Sequence, residues 1–307
     1  MAAQTDDPAS FDPVPGVAEP LEPCLRRILA PNPSPMTFRG TNTYLLGEAE
    51  IAVIDPGPDD PGHLRAILDA VTPGQRITHI LVTHSHLDHS PLAARLGHET
   101  GAQVHGFGPS GTGRSAVMDR LIAQGLEPAG EGIDPGFAPD VTLGDGAVVE
   151  SGEWRIAALW TPGHLGNHLC FDWGGAVFTG DLVMGWASSL VSPPDGDLTD
   201  FMASCAQLRA RAARRLFPGH GAPIEDPAAR LDWLIAHRKG REAAILAALE
   251  HGPANAAELA RAIYTDTPEA LLPAARRNVL AHLIDLTGKG ATRPQGALSQ
   301  GARFERC

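Results

Sequence analysis

The sequence predicts an α/β fold whose strand ends gather a metal site, and three observations point that way. The segment Thr83-His84-Ser85-His86-Leu87-Asp88-His89 packs four candidate metal ligands directly behind an apolar run, Ile77 to Val82, that reads as a buried strand. Three further apolar runs each end in a ligand beside glycine: Trp154–Trp160 before Thr-Pro-Gly-His164, Ala176–Phe178 before Thr-Gly-Asp181, and Arg215–Phe217 before Pro-Gly-His220-Gly. Helical patterns lie between the first and second of these runs and between the last two, and a set of helices follows the last one. At a strand end His84 and His86, two apart, point the same way, and Asp88 and His89 follow as the chain turns. Imidazole and carboxylate together suit Zn, Fe or Mn better than Ca or Mg. Glycine beside each ligand lets the backbone turn sharply and come close to a metal.

Residues 1–35 are rich in proline, alanine and acid, and are expected to be irregular. Thr43–Leu46 and Ile51–Ile54 read as a hairpin that leads into Asp55-Pro-Gly57, and Pro61 to Val71 as a helix. His79, inside the apolar strand, reads as structural. Ser90-Pro91 looks like a helix start, serine as cap and proline in the first turn, running to about Thr100. Residues 106–140 are a Gly- and Pro-rich stretch around a short helix near Met118 to Gly125. Its segment Gly108 to Ser115 superficially resembles a phosphate cradle. Arginine stands where that motif needs lysine, so a flexible lid is the better reading, with Arg114 able to meet an anionic substrate.

After Asp181, the apolar and serine-bearing Met184–Pro194 segment should form a wall of the substrate pocket, with Trp186, Ser188 and Ser189 facing substrate. Packing into the core is the competing reading for Trp186. Asp200–Arg214 reads as a helix. Trp233–Glu250 is a long helical pattern that carries His-Arg-Lys-x-Arg-Glu (His237 to Glu242), and Gly252-Pro253 breaks it. Short and longer helices over Ala256–Tyr264 and Pro268–Leu286, then a turn at Gly288-Lys-Gly290, complete a winged-helix-like unit. The expected division is an N-terminal segment 1–35, a catalytic domain 36–238 and the winged-helix-like domain 239–307.

Composition agrees with this layout. A chain of 307 residues with 43% hydrophobic content holds one large core and a small one. The net charge is −12 and only Lys239 and Lys289 are lysines, which argues against broad electrostatic capture of nucleic acid. From Arg241 onward eight basic residues face seven acidic ones. A near-neutral unit is not a DNA-reading signature, so packing or homodimerisation is expected of it. Four scattered cysteines with no CxxC pair read as reduced thiols in a cytoplasmic protein. The acidic start and the lack of a long apolar run predict no signal peptide and no membrane span.

The motif Thr-His-x-His-x-Asp-His with the later His164, Asp181 and Gly-His220 resembles the metallo-β-lactamase-fold hydrolases over roughly residues 35–235. The resemblance implies an αββα four-layer sandwich. It implies a first metal held by His84, His86 and His164, a second held by Asp88, His89 and His220, and Asp181 bridging the two. Many relatives carry Gly-Gly after the Asp-His pair, where this chain has Ser90-Pro91. The fold domain, the Pro-Gly-His-Gly loop, the His-Arg-Lys-x-Arg-Glu helix and the winged-helix-like end are together similar to the β-lactamase-like protein 2 family. That family includes endoribonucleases that prefer single strands.

The chemistry expected is a hydroxide shared by two divalent ions about 3.5 Å apart, attacking a phosphoryl or carbonyl centre. Zinc is the expected metal, with manganese or iron as alternatives. Asp88 and Asp181 would serve the reaction while ligating, and His168 is a candidate acid for the leaving group. Three substrate readings compete: an RNA phosphodiester, a small thioester, lactone or other ester, and a persulfide oxidised at a single iron. The last would leave the second ligand set idle. A true β-lactamase is opposed by Asp181, where one subclass places cysteine and another uses no bridging aspartate.

Overall fold

The computed structural model describes residues 11–127 and 132–307. Residues 1–10 of the expected irregular segment, and 128–131 of the Gly- and Pro-rich stretch, lie outside them.

The chain order is β1 (Ala18–Glu22), β2 (Leu25–Leu29), β3 (Asn42–Leu46), β4 (Glu50–Ile54), α1 (Pro61–Asp69), β5 (Arg76–Leu81), α2 (Leu92–Thr100), β6 (Gln103–Gly106), α3 (Ala116–Ala123), β7 (Val141–Thr142), β8 (Val148–Glu150), β9 (Arg155–Trp160), β10 (Leu169–Trp173), β11 (Ala176–Gly180), α4 (Leu198–Ala210), β12 (Arg215–Pro218) and α5 (Pro227–Leu249). The small C-terminal unit adds β13 (Ala254–Asn255), α6 (Ala256–Ile263), a 3-10 turn at Glu269–Leu271, α7 (Leu272–Gly288), β14 (Thr292–Pro294) and β15 (Arg303–Arg306).

Strands β1 to β7 form one sheet in chain order, antiparallel as far as β4 and parallel from there. The second sheet runs β12-β11-β10-β9-β8, with β11 and β12 parallel. Period-two patterning sorts side chains between layers. In β4, Ala52 and Ile54 enter the core between the sheets, while Ile51 and Val53 meet α1 and α2. In β11, Ala176 and Phe178 face inward and Val177 faces the α4 and α5 side. Each sheet is thus covered by helices on its outer face, which makes the αββα sandwich.

The N-terminal segment departs from expectation: residues 18–29 are not irregular but form the β1–β2 hairpin at the sheet edge. β1 is largely exposed and takes its order from pairing with β2, whose Leu25, Ile28 and Leu29 are buried. The Ser90 cap is also corrected. Helix α2 starts without a side-chain cap, and the Ser90 hydroxyl is turned away to donate to Asp134 Oδ2 at 2.7 Å, with the His86 carbonyl at 3.2 Å.

Helix α5 runs unbroken through the expected boundary at 238/239. Its first half packs Leu231 and Leu234 on the second sheet, and its second half puts Ile245 and Leu249 into the C-terminal core. That core also takes Met118, Leu121 and Leu126 of α3 and the residues beyond it. Within the stretch expected to be a flexible lid, α3 and Leu126 are therefore docked on the C-terminal unit. A strand and a helix do flank its glycine-rich segment, yet its Arg114 is ion-paired to Asp195 at 3.0 Å and Asp119 at 3.7 Å. Among the described residues no helix is long and apolar enough to cross a membrane.

Candidate metal centre

Four strand ends deliver the candidate ligands. β5 leads to His84, His86, Asp88 and His89, β9 to His164, β11 to Asp181 and β12 to His220. Cross-sheet bonds hold these loops together: Asn42 N–H donates to the Gly219 carbonyl, the Asn42 amide donates to the Pro218 and Gly221 carbonyls, and Leu169 N–H donates to the Thr83 carbonyl. His84, His86, His164 and Asp181 offer donor atoms all within 4.8 Å of one another, and so do Asp88, His89 and His220. Asp181 lies between the sets, its Oδ2 3.7 Å from His164 Nε2 and its Oδ1 3.4 and 3.3 Å from His89 and His220 Nε2.

Outer hydrogen bonds decide which imidazole nitrogen faces inward. His164 Nδ1–H donates to the Leu190 carbonyl at 2.7 Å, and His220 Nδ1–H to the Gly40 carbonyl at 3.1 Å. His89 Nδ1–H donates to Asp55 Oδ2 at 2.9 Å. His84 Nδ1–H donates to Thr83 Oγ1, which passes its own hydrogen to the same Asp55 oxygen. These four histidines therefore turn Nε2 inward, bare at the neutral His84 and His164 and facing the Asp88 and Asp181 carboxylates at His89 and His220. His86 turns Nδ1 inward instead, 3.0 Å from His84 Nε2 and 3.1 Å from His164 Nε2.

Burial pushes His84 well below its ordinary pKa, His86 down to about 3, and lowers His164, with neighbouring imidazoles adding to the effect for His84 and His86. All three are neutral and able to ligate at pH 7. In the other set burial would lower His89 and His220, yet the carboxylates of Asp88 and Asp181 outweigh it, and His220 is pushed up to about 10. Burial likewise opposes ionisation of Asp88 and Asp181, and the facing histidines hold both well below the usual carboxylate range.

The donor set fits divalent cations. His89 Nε2 and Asp181 Oδ1 are buried, face each other at 3.4 Å and make no regular hydrogen bond among the described residues, an arrangement that a cation between them would complete. Facing lone pairs on His84 and His164 ask for the same, and the N/O mixture with carboxylates suits Zn, Mn or Fe. Close backbone approach is built in as well. At Gly219 a Cβ would lie 2.6 Å from Asp181 Oδ1 and 2.7 Å from His89 Cε1. At Gly180 (φ +45°) one would lie 2.7 Å from Thr83 Oγ1.

A cavity of about 340 Å³ opens from His86, Asp88, His164, Asp181 and His220. Met36, Met184, Trp186, Ser188 and Leu190 form one side, and Tyr264, Leu271, Ala274 and Ala275 of the C-terminal unit form the other. Trp186 stacks on Phe38 at 5.1 Å while lining this space. Three expected site residues sit elsewhere. Ser189 is fully buried, and its hydroxyl donates to the Leu182 carbonyl. Arg114 lines a separate cleft beside Asp195. His168 is fully buried behind His84, its ring Nδ1 3.0 Å from Thr161 Oγ1, and burial drives it to the neutral form. It does not line the cavity, and a neutral imidazole is a poor proton donor.

Sequence reasoning gave no role to Asp55, Thr83, Asn278 or the buried arginines Arg230 and Arg238. The Asp-Pro-Gly that follows β4 was the visible signal for the first. His-Arg-Lys-x-Arg-Glu was the signal for Arg238.

Comparison with known proteins follows the same lines. A family model described as the metallo-beta-lactamase superfamily matches residues 36–220, and one described as the beta-lactamase associated winged helix domain matches 256–298. A Drosophila melanogaster protein named beta-lactamase-like protein 2 homolog is 32% identical, covering 87% of this chain and 89% of its own. An atrochrysone carboxyl ACP thioesterase of Aspergillus fumigatus is 32% identical over 81% of this chain and 76% of its own. Among solved structures, a metallo-beta-lactamase family protein from Thermus thermophilus superposes with a TM-score of 0.74 at 27% identity, covering 93% of this chain and 99% of the other. A beta-lactamase domain protein from Burkholderia ambifaria shows the same fold, with a TM-score of 0.78 at 22% identity and coverage of 98% and 99%.

Proposed function

Because the chain belongs to the metallo-beta-lactamase superfamily, a family of hydrolases, we propose that its seven convergent side chains hold two divalent cations and that it cleaves thioesters or esters of apolar acids. The observation that carries the substrate class is the cavity: its walls are mostly apolar, with Met36, Met184, Trp186, Leu190 and Leu271 outweighing Thr37, Ser188, Thr267 and Asn278, and its floor is the ligand cluster. A thioesterase among the relatives at 32% identity supports the same class.

Cations bound here would supply Lewis acidity and make a water acidic near neutral pH. The chain's own residues would do the rest. The acyl body lies against Trp186, Leu190 and Leu271, which exclude water and hold the carbonyl over His164 and His220. Asp181 spans both sets and keeps them in register. Asp88 opens partly to the cavity, receives a hydrogen bond from Thr41 Oγ1 at 3.2 Å, and is placed to take the proton from the attacking water. A thiol pKa of about 8.5 lets a thiolate leave without an acid, which agrees with the distance of His168 from the cavity, while the alkoxide of an ester would take the proton that Asp88 accepts from the water. Zinc is the metal proposed, and the gathered Asp88, His89 and His220 favour two ions over one.

Side-by-side assay of an acyl-thioester series and labelled single-stranded RNA, in zinc-loaded wild type and Asp181→Ala, tests this reading. Thioester cleavage that vanishes in the variant is expected. RNA cleavage without thioester cleavage would overturn it in favour of a phosphodiesterase.

A further inference from the structure

The His-Arg-Lys-x-Arg-Glu segment of α5 touches neither the candidate ligands nor the cavity through Arg238, yet Arg238 is among the largest fully buried side chains of the molecule. Its guanidinium donates to the Ser189 carbonyl and, at 3.1 Å, to Asn278 Oδ1 on α7, and it stacks over the Phe201 ring of α4. Asn278 Oδ1 also accepts the Val191 N–H at 3.0 Å. Two turns earlier in α5, Arg230 donates to the Met184 and Ala187 carbonyls, both at 2.7 Å. Four backbone groups of the 184–191 loop are thus held from α5 and α7, on both sides of Leu190. The Leu190 carbonyl is the acceptor that orients His164.

We propose that Arg238 and Asn278 are positioning residues: they fix the Leu190 carbonyl so that His164 keeps its Nδ1–H outward and its Nε2 on the metal. This rests on the reading of the cluster as a metal site. The planar guanidinium suits the role, since it reaches a carbonyl and an amide oxygen in a fixed fork that an ammonium does not reproduce. Asn278 is half-buried at the edge of the cavity, and its Oδ1 is shared between the Arg238 guanidinium and the Val191 N–H, so one side-chain oxygen ties α5 and the loop to α7. Docking of α7, and with it the C-terminal unit, is thereby part of the construction of the metal centre and not only of the cavity wall.

Cobalt(II) titration of the full-length protein, followed by visible absorption and chelator competition without substrate, tests this. Asn278→Ala is expected to weaken cobalt binding by about 10-fold or more and to alter the cobalt spectrum, the size typical of lost outer-shell partners. Asn278→Asp, which keeps the shared acceptor, retains wild-type affinity. Arg238→Lys follows Asn278→Ala in direction. Thr199→Val is the control. It removes the 2.7 Å bond from Thr199 on α4 to Asp285 on α7, another contact that docks α7, without touching the loop, and cobalt binding stays as in wild type. An unchanged cobalt affinity and spectrum in Asn278→Ala overturns the proposal. So does an equal loss in Thr199→Val, which would mean general loosening of the interface. Wild-type protein that takes up no cobalt overturns the metal reading itself and this proposal with it.

Discussion

Asp55 Oδ2 lies 2.9 Å from His89 Nδ1 and 2.7 Å from Thr83 Oγ1, so one carboxylate orients His89 directly and His84 through a hydroxyl. Its other oxygen accepts the Thr83 N–H at 2.7 Å. Both ligand sets thus hang on one side chain. Asp55 has φ +50°, a conformation asparagine tolerates. Asp55→Asn is therefore expected to fold and to lose metal affinity at both sets by roughly 10- to 100-fold. Metal content after dialysis against a graded chelator checks it, and a fully loaded variant would refute it.

Gly219→Ala should abolish activity without disturbing the cavity wall. The new methyl meets Asp181 Oδ1 at 2.6 Å and His89 Cε1 at 2.7 Å, below any ordinary contact. Metal stoichiometry is expected to fall, and two ions retained with full turnover would contradict the geometry.

Ala274→Phe places a ring in the cavity from the C-terminal side. Long acyl groups should suffer a rise in KM of about 10-fold or more, as each displaced methylene is worth about 1–3 kcal/mol. Short acyl groups should keep their kcat, since no candidate ligand is moved. A length series of thioesters read as kcat and KM separately distinguishes the two.

Burial and the nearby Arg238 push His282 down to about 3, and both its ring nitrogens are buried without a partner. It stays neutral in the folded protein while the unfolded chain protonates it near 6.5. The stability it permits is present above about pH 6.5 and is lost as pH falls toward about 3. Between about pH 7 and 5 this amounts to about 2 kcal/mol. Denaturant unfolding of His282→Leu should show a shallower loss over that range, and an unchanged slope would disprove the assignment.

The four strands that end in ligands were legible because buried strands read as apolar runs and the ligands sit where those runs stop. The β1–β2 hairpin was not, because Ala18-Glu-Pro-Leu-Glu22 lies at the sheet edge and has no apolar face of its own. Asp55 was visible as Asp-Pro-Gly, but its role depends on β4 and β5 being adjacent and parallel, which brings Asp55 beside Thr83. Ser189, Arg114 and His168 were near the right place in the chain and point the wrong way. Side-chain direction in a loop follows from tertiary hydrogen bonds such as Ser189 to the Leu182 carbonyl, and neighbouring residue types do not encode those. Arg238 stands in a helical pattern among other basic residues with nothing local to mark it as interior, and only the meeting of α4, α5 and α7 makes it so.

One wall of the cavity comes from residues 264–275, about fifty positions after the last candidate ligand at His220. The C-terminal unit thus supplies part of the cavity wall, while every candidate ligand lies before it in the chain. Substitutions along α7 at Ala274 and Ala275 can retune what the enzyme accepts while the hydrolytic centre is left intact. Selection can act on substrate range by drift in the appended unit, provided Asn278 is spared.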